Sequence, residues 1–237
     1  MTTKTTTKGG DRVPRDRPML FTGDMVLAIL AGTKTQTRRI EPFTPDEHRA
    51  IELLAVRDGV ATYKGSTVFT IGPRYGVPGD RVYVRETTEQ RGAGWVYVAG
   101  GAAGTGPWSY KRRVRPAIHM PRADARALLP IVAHERVEWL QDISEEDARA
   151  EGVARRGDGP AAYRAAYVLL WNAINGERGF PWTLNPWVRV VTWSALCPTC
   201  HGTGVDSLSN DAPLGGVCQP CFRAGRVGAP QKELARR

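Results

Sequence analysis

The sequence predicts an α+β domain followed by a small cysteine-rich module. Three observations carry that prediction. Short segments in which apolar and polar residues alternate recur between Pro18 and about Leu196. Helical patterns lie among them at Gly23–Ala31, at Glu145–Glu151 and in a longer run after Pro160. Beyond Leu196 large apolar residues become rare and all four cysteines appear. There is no regular strand–helix–strand alternation and no GxGxxG after a strand, which argues against a doubly wound sheet. An α+β or barrel-with-helices domain remains.

Taken in chain order, residues 1–17 read as a disordered arm, rich in Thr, Lys and Arg with little to bury. Thr22 suits the N-cap of the first helix. Met25 with Ile29, and Val26 with Leu30, give it one apolar face. Gly32 suits the left-handed position that ends it, and Lys34–Ile40 then reads as turn followed by strand. A Val77-Pro78-Gly79-Asp80 turn introduces a strand at Val82–Thr87. Trp95–Val98, Val132–Leu140 and Trp187–Trp193 also alternate as strands do. Ser144 caps the second helix and Gly152 stops it. Pro160 suits the first turn of the third, where Tyr163, Tyr167, Leu170, Trp171 and Ile174 share a face and Gly176 lies past the end. Residues 228–237 form a polar, basic tail.

At 237 residues the chain holds one large domain, or one domain and a module, at about 150 residues per domain. With 41% hydrophobic residues it is not a wholly disordered chain. No run approaches the roughly 18 apolar residues of a membrane span, and no apolar leader core opens the sequence, so the expected compartment is the cytoplasm. Lys plus Arg (33) exceeds Asp plus Glu (24), a formal charge of +9 that favours anionic partners: RNA, DNA or a nucleotide.

The cysteines fall in two pairs, Cys197-Pro-Thr-Cys200 and Cys218-Gln-Pro-Cys221, with 17 residues between them. This is the spacing of a four-thiolate zinc site, in which each turn supplies two soft donors to a tetrahedral ion. Four thiolates leave no open coordination position, so the expected role is structural. A zinc-ribbon-like module is expected over residues 197–227, and it could also dock nucleic acid or a protein partner. Two disulfides are the alternative, disfavoured where no leader is visible. The run Cys-Pro-Thr-Cys-His-Gly-Thr-Gly also resembles one repeat of the DnaJ zinc-binding region.

The most informative stretch is Leu30-Ala-Gly-Thr-Lys-Thr-Gln-Thr-Arg-Arg39. Its pattern Leu-Ala-Gly-x-Lys-Thr-x-Thr-x-Arg resembles the signature of ASCH-domain proteins, a branch of the PUA-like superfamily. Gly79–Glu86, Leu140–Val153 and Asn185–Val191 resemble further segments of that family. Arg17–Phe21, Gly79–Thr87, Pro116–Arg122 and Leu140–Ala148 resemble a phage and prophage group within it. The resemblance spans about residues 17–194. It implies a small PUA-like β-barrel with flanking helices over residues 18–196, and a cleft that handles RNA or nucleosides.

Compact bacterial ASCH proteins hydrolyse N4-acetylcytidine with a Lys, a Thr and a Glu. By motif position these correspond to Lys34, Thr37 and Glu151. The chemistry is coherent: a Thr hydroxyl needs a base, and a lysine serves when its pKa falls. Glu151 could move a proton to the leaving nitrogen or orient Lys34. Arg39 and Arg85 could hold a phosphate or a base carbonyl; Glu86 and His119 complete the expected binding set. Positions 34 and 37 point to opposite faces of a regular strand, so both reach one cleft only if Lys34 belongs to the turn.

Each residue also has a plainer role. Lys34 and Thr37 suit solvated strand positions or RNA-backbone contacts, Glu151 a last helical turn, Asp80 a turn. Arg85-Glu86 suits a structural ion pair, and His119 a structural histidine. Trp171, Trp182 and Trp187 suit the core, while Trp95 or Trp108 could stack a base. The Gly-rich stretch Gly92–Gly106 and the basic run Lys111–Arg115 depart from the compact hydrolases and suit either a larger polynucleotide or a plain surface insertion. The functions left open are amide hydrolysis at an acylated cytidine, non-catalytic RNA or DNA binding, ribonuclease activity, and a phage adaptor acting through the zinc module.

Overall fold

The computed structural model describes residues 12–92, 94–99 and 113–196. The four cysteines, Trp108, and the expected module and tail lie outside the described residues, as do residues 1–11 of the expected arm. The described chain is mixed α+β. Its elements are β1 (Asp16–Leu20), α1 (Gly23–Leu30), β2 (Gln36–Ile40), α2 (Pro45–Ala50), β3 (Glu52–Arg57), β4 (Val60–Lys64) and β5 (Val68–Ile71). There follow β6 (Arg81–Arg85), β7 (Thr88–Arg91), β8 (Gly94–Tyr97), β9 (Val114–Arg115), β10 (Leu128–Pro130), β11 (Arg136–Trp139), α3 (Glu145–Ala150), α4 (Ala162–Asn175) and β12 (Trp187–Thr192). Among the described residues no helix is long and apolar enough to cross a membrane.

The strands form four small sheets, ordered β1-β6-β10, β11-β12-β2, β3-β4-β5 and β8-β7-β9. No closed barrel is found among the described residues. β1 runs parallel to β6, and the other pairings are antiparallel. β12 is the central strand that matters for the site. It joins β11 to β2, with Val191 opposite Thr37 and Arg189 opposite Arg39.

Four apolar clusters form among the described residues, and three of them surround the site. Met19, Val82, Val84 and Leu129 of the first sheet pack on Val26 and Ile29 of α1 and on Val191 and Trp193. Tyr167 and Trp171 of α4 pack with Ala148 of α3 and Val188 of β12. Tyr63, Val137 and Trp187 form the third, where Trp139 and Trp187 stack with ring centroids 3.5 Å apart. Trp171 and Trp187 are thus core residues and Trp182 packs against the second cluster, whereas Trp95 is exposed under the Arg115 guanidinium.

Local chemistry explains most element ends. Ser144 Oγ accepts the Asp147 amide at 3.0 Å, and Gly32 and Gly152 both carry positive φ after their helices. Thr22 occupies the N-cap position of α1, but its side chain makes no capping bond. Gly176 lies just past the end of α4, as expected, with φ −58°, and the chain reverses three residues later at Gly179, φ +85°. The segment expected as one strand at Val132–Leu140 is divided. β10 ends before it, β11 fills its second half, and Leu140 starts a 3₁₀ turn.

The N-terminal arm also ends earlier than its composition suggests. Arg12 donates to both oxygens of Asp80 at 2.7 Å, the Arg15 amide adds a third bond at 2.9 Å, and β1 begins at Asp16. The same carboxylate accepts the Val77 amide and closes the Val77–Asp80 turn. Its pKa is held below the usual range, because these bonds outweigh the effect of burial.

Candidate functional site

The site begins where α1 stops. Left-handed Gly32 turns the chain, and Lys34 pairs with Glu151 as an isolated antiparallel bridge before β2 starts. The Thr35 amide donates to the Ala150 carbonyl at 2.8 Å, and Trp193 Nε1 donates to the Lys34 carbonyl at 3.1 Å. Lys34 therefore stands before β2 as a bridge residue, outside the alternation of that strand. Gly152 makes the approach possible, since a Cβ there would stand 2.7 Å from Lys34 Cβ.

Lys34 is 1% exposed. Its ammonium donates to Glu151 Oε2 and to the Glu151 carbonyl, each at 2.8 Å. Burial pulls the lysine pKa down; Glu151 opposes this, and the net shift is downward. The second carboxylate oxygen, Oε1, accepts Arg38 Nη1 at 3.1 Å. Arg38 reaches on to Glu138 Oε1 at 2.6 Å and Asp147 Oδ2 at 2.7 Å. Burial disfavours the Arg38 charge, but Glu151 and Glu138 outweigh burial and raise its pKa. The result is a continuous chain of charges, Lys34–Glu151–Arg38–Asp147, joining the turn before β2 to α3.

Beside it opens a cleft of about 440 Å³, of the size expected for a small ligand. Thr37, Arg38 and Arg39 of β2 form one wall together with Glu151. Tyr167, Trp171 and Phe180 from α4 and its exit form another, and the Arg74–Tyr75 segment a third. Thr37 is 3% exposed and its backbone is held opposite Val191. Arg39, two residues on, donates Nη2 to the Leu20 carbonyl at 2.7 Å and lies over the Phe21 ring at 5.1 Å. Burial lowers its pKa. Lys34 itself does not line the cleft: Glu151 does, and the ammonium lies behind it.

A second buried charge cluster sets the rim. Arg189 on β12 donates to Glu41 Oε1 at 2.5 Å and Glu135 Oε2 at 3.0 Å. Glu135 also accepts the amides of Arg74, Tyr75 and Gly76. One guanidinium thus ties the exit of β2 to the segment that carries Arg74 and Tyr75.

The structure brings Thr37, Arg39 and Glu151 together on the cleft, with Lys34 paired to Glu151 behind it. It does not bring Arg85, Glu86 or His119 to this cleft. Arg85 donates to the Ile118 carbonyl at 3.0 Å and lies over Tyr83. Glu86 is buried against Arg126 with two bonds of 2.7 Å, so the pair expected between Arg85 and Glu86 is formed with Arg126 instead. His119 is exposed in a 3₁₀ turn. Cys197, Cys200, Cys218 and Cys221 lie outside the described residues, and no other group of acids and histidines is placed to hold a metal among the described ones.

Sequence reasoning missed Arg38, Tyr75, Tyr167 and Arg178. Arg38 stands inside the motif, but nothing local says that it meets Asp147 across 109 positions.

Fold and site together define a mixed α+β protein in which a buried lysine–glutamate–arginine chain backs an arginine- and aromatic-lined cleft. Compared with protein-family models, with curated proteins and with solved structures, the chain matches none.

Proposed function

We propose that this chain is an ASCH-type, PUA-like protein that recognises RNA or a modified nucleoside and hydrolyses the amide of N4-acetylcytidine. The observation that carries the proposal is the meeting of Lys34, Thr37 and Glu151. Residues 117 positions apart form a buried ion pair of 2.8 Å, and its carboxylate shares a cleft wall with a buried threonine.

In the proposed reaction Thr37 Oγ1 attacks the acetyl carbonyl carbon, and its proton passes to the Lys34–Glu151 pair. Burial lowers the Lys34 pKa, so near neutral pH the lysine is neutral and free to take a proton in a larger share of molecules than a solvated lysine is. The tetrahedral intermediate expels cytosine N4, which takes that proton as the C–N bond breaks. Water then attacks the acetyl-Thr37 ester to release acetate and restore the hydroxyl. Arg38 keeps the Glu151 carboxylate in place, and Arg39 is a substrate-binding group.

A zinc ion on Cys197, Cys200, Cys218 and Cys221 is proposed as a structural part of the same protein, on spacing alone. The competing reading is an RNA- or DNA-binding module without chemistry. It is favoured by the position of the Lys34 ammonium, behind Glu151 rather than in the cleft.

The test is direct. Wild type, Lys34→Ala and Thr37→Ala are incubated with N4-acetylcytidine, free and within RNA, and release of cytidine is followed by mass spectrometry. Turnover by wild type alone is expected. No release from either form by folded wild type overturns the hydrolase.

A further inference from the structure

The cleft carries more positive charge than its carboxylates neutralise. Its two acids are already engaged, Glu41 by Arg189 and Glu151 by Lys34 and Arg38. Arg38 in turn holds two more carboxylates. Arg39, Arg74 and Arg178 also face the cleft. Among the described residues none of these three has a carboxylate partner.

Arg39 is the most telling. Its Nε is fully enclosed and has no hydrogen-bond partner. Its Nη2 donates to the Leu20 carbonyl, and its guanidinium carbon lies 5.1 Å from the Phe21 ring centroid. The guanidinium is only half-buried and has donors to spare, which an anion in the cleft can take up. Arg178 approaches from the end of α4, steadied by a bond from Nη1 to Asn175 Oδ1 at 3.0 Å. Arg74 lies over the Tyr75 ring on the third wall. A forked guanidinium matches tetrahedral oxyanions by paired N–H bonds.

We infer that the ligand of this cleft bears a phosphate ester, seated by Arg39 and Arg178, so that the substrate is a nucleotide rather than a free nucleoside. This deepens the proposed function and rests on it for the nucleoside part of the ligand. The arginines carry the phosphate part. That phosphate comes either from a mononucleotide or from a nucleotide within a strand.

The experiment separates binding from chemistry by using ligands that have no amide to cleave. Calorimetric titrations compare cytidine, cytidine 5′-monophosphate and a five-nucleotide cytidine-centred RNA at low salt. Wild type, Arg39→Gln, Arg39→Lys and Arg178→Gln are used, and circular dichroism confirms their fold. Arg178 is exposed, so its replacement leaves the core untouched.

Wild type is expected to bind the monophosphate at least about tenfold more tightly than cytidine, the scale of one or two charge-assisted hydrogen bonds. The preference is expected to fall below about threefold in Arg39→Gln and Arg178→Gln, and to survive in part in Arg39→Lys. RNA binding tighter than the monophosphate, and weakened by the same substitutions, assigns the phosphate to a strand; weaker RNA binding assigns it to a mononucleotide. Equal affinity for cytidine and its monophosphate, no binding of either phosphate ligand, or a preference indifferent to both arginines overturns the inference. Amide hydrolysis without a phosphate preference removes this inference alone. A phosphate preference without hydrolysis removes only the enzymatic proposal.

Discussion

Gly152 lies against Lys34 so closely that a Cβ at 152 would stand 2.7 Å from the lysine Cβ and 3.0 Å from that of Ala28. It also has φ +81°, a region that side chains rarely adopt. The glycine thus ends α3 and admits the lysine to Glu151 in one step. Gly152→Ala is expected to cost about 2–5 kcal/mol, summing left-handed strain and overpacking. Gly157 is the control. It has φ +84° with no atom near its missing Cβ, so Gly157→Ala is expected to cost only about 1 kcal/mol of strain. Urea unfolding of both variants measures the difference; equal losses would mean that the contact with Lys34 is not tight.

Arg189 is 0% exposed and bridges Glu41 and Glu135. Removing it strands the buried Glu41 carboxylate and leaves Glu135 with backbone amides but no cation. Arg189→Met is expected to lose about 3–5 kcal/mol, as breaking buried ion pairs does. Adding Glu41→Gln and Glu135→Gln is expected to restore part of that loss, since the unpaired charges go. Denaturant midpoints of the single and triple variants check this, and a triple variant weaker than the single one would contradict it.

Asp147 gives the acid limb of stability a sign. Burial alone would raise its pKa, but bonds from Arg38 and the charge of Arg136 outweigh burial and lower it. The unfolded chain then binds more protons than the folded one as pH falls past the unfolded value near 3.9. The contribution of Asp147 is therefore complete above about pH 5 and is lost as pH drops toward the folded value. The stability gap between wild type and Asp147→Asn is expected to narrow over that range, in thermal melts at several pH values. A constant gap would show that the carboxylate titrates alike in both states.

The cysteine spacing predicts about one zinc per chain, bound by four thiolates. Elemental analysis should find that metal. Chelation should then release it and expose four reactive thiols. A metal-free chain with no free thiols would instead indicate two disulfides.

Legibility in the sequence followed the range of the forces involved. Helices α1, α3 and α4 were visible because caps and apolar faces lie within a few residues. α2 was equally legible and overlooked: Thr44-Pro45-Asp46-Glu47 spells a capping box, which the structure forms with Thr44 accepting the Glu47 amide and Glu47 the Thr44 amide. In the meander β3-β4-β5, strand β3 was hidden by its exposure, where apolar alternation is weak, and by an irregularity between Leu53 and Ala55.

Of the site, the sequence by itself determined the motif residues Lys34, Thr37 and Arg39, the helix end at Glu151, the positive charge and the paired cysteines. Those are properties of residue type and spacing. Only the tertiary structure decided that Lys34 stands behind Glu151, that Arg38 is held by acids from β11 and α3, and that Arg85, Glu86 and His119 lie away from the cleft. The physical reason is that a buried charge is stable only beside its partners. Those partners sit on strands and helices about a hundred positions away, where no local periodicity can reach.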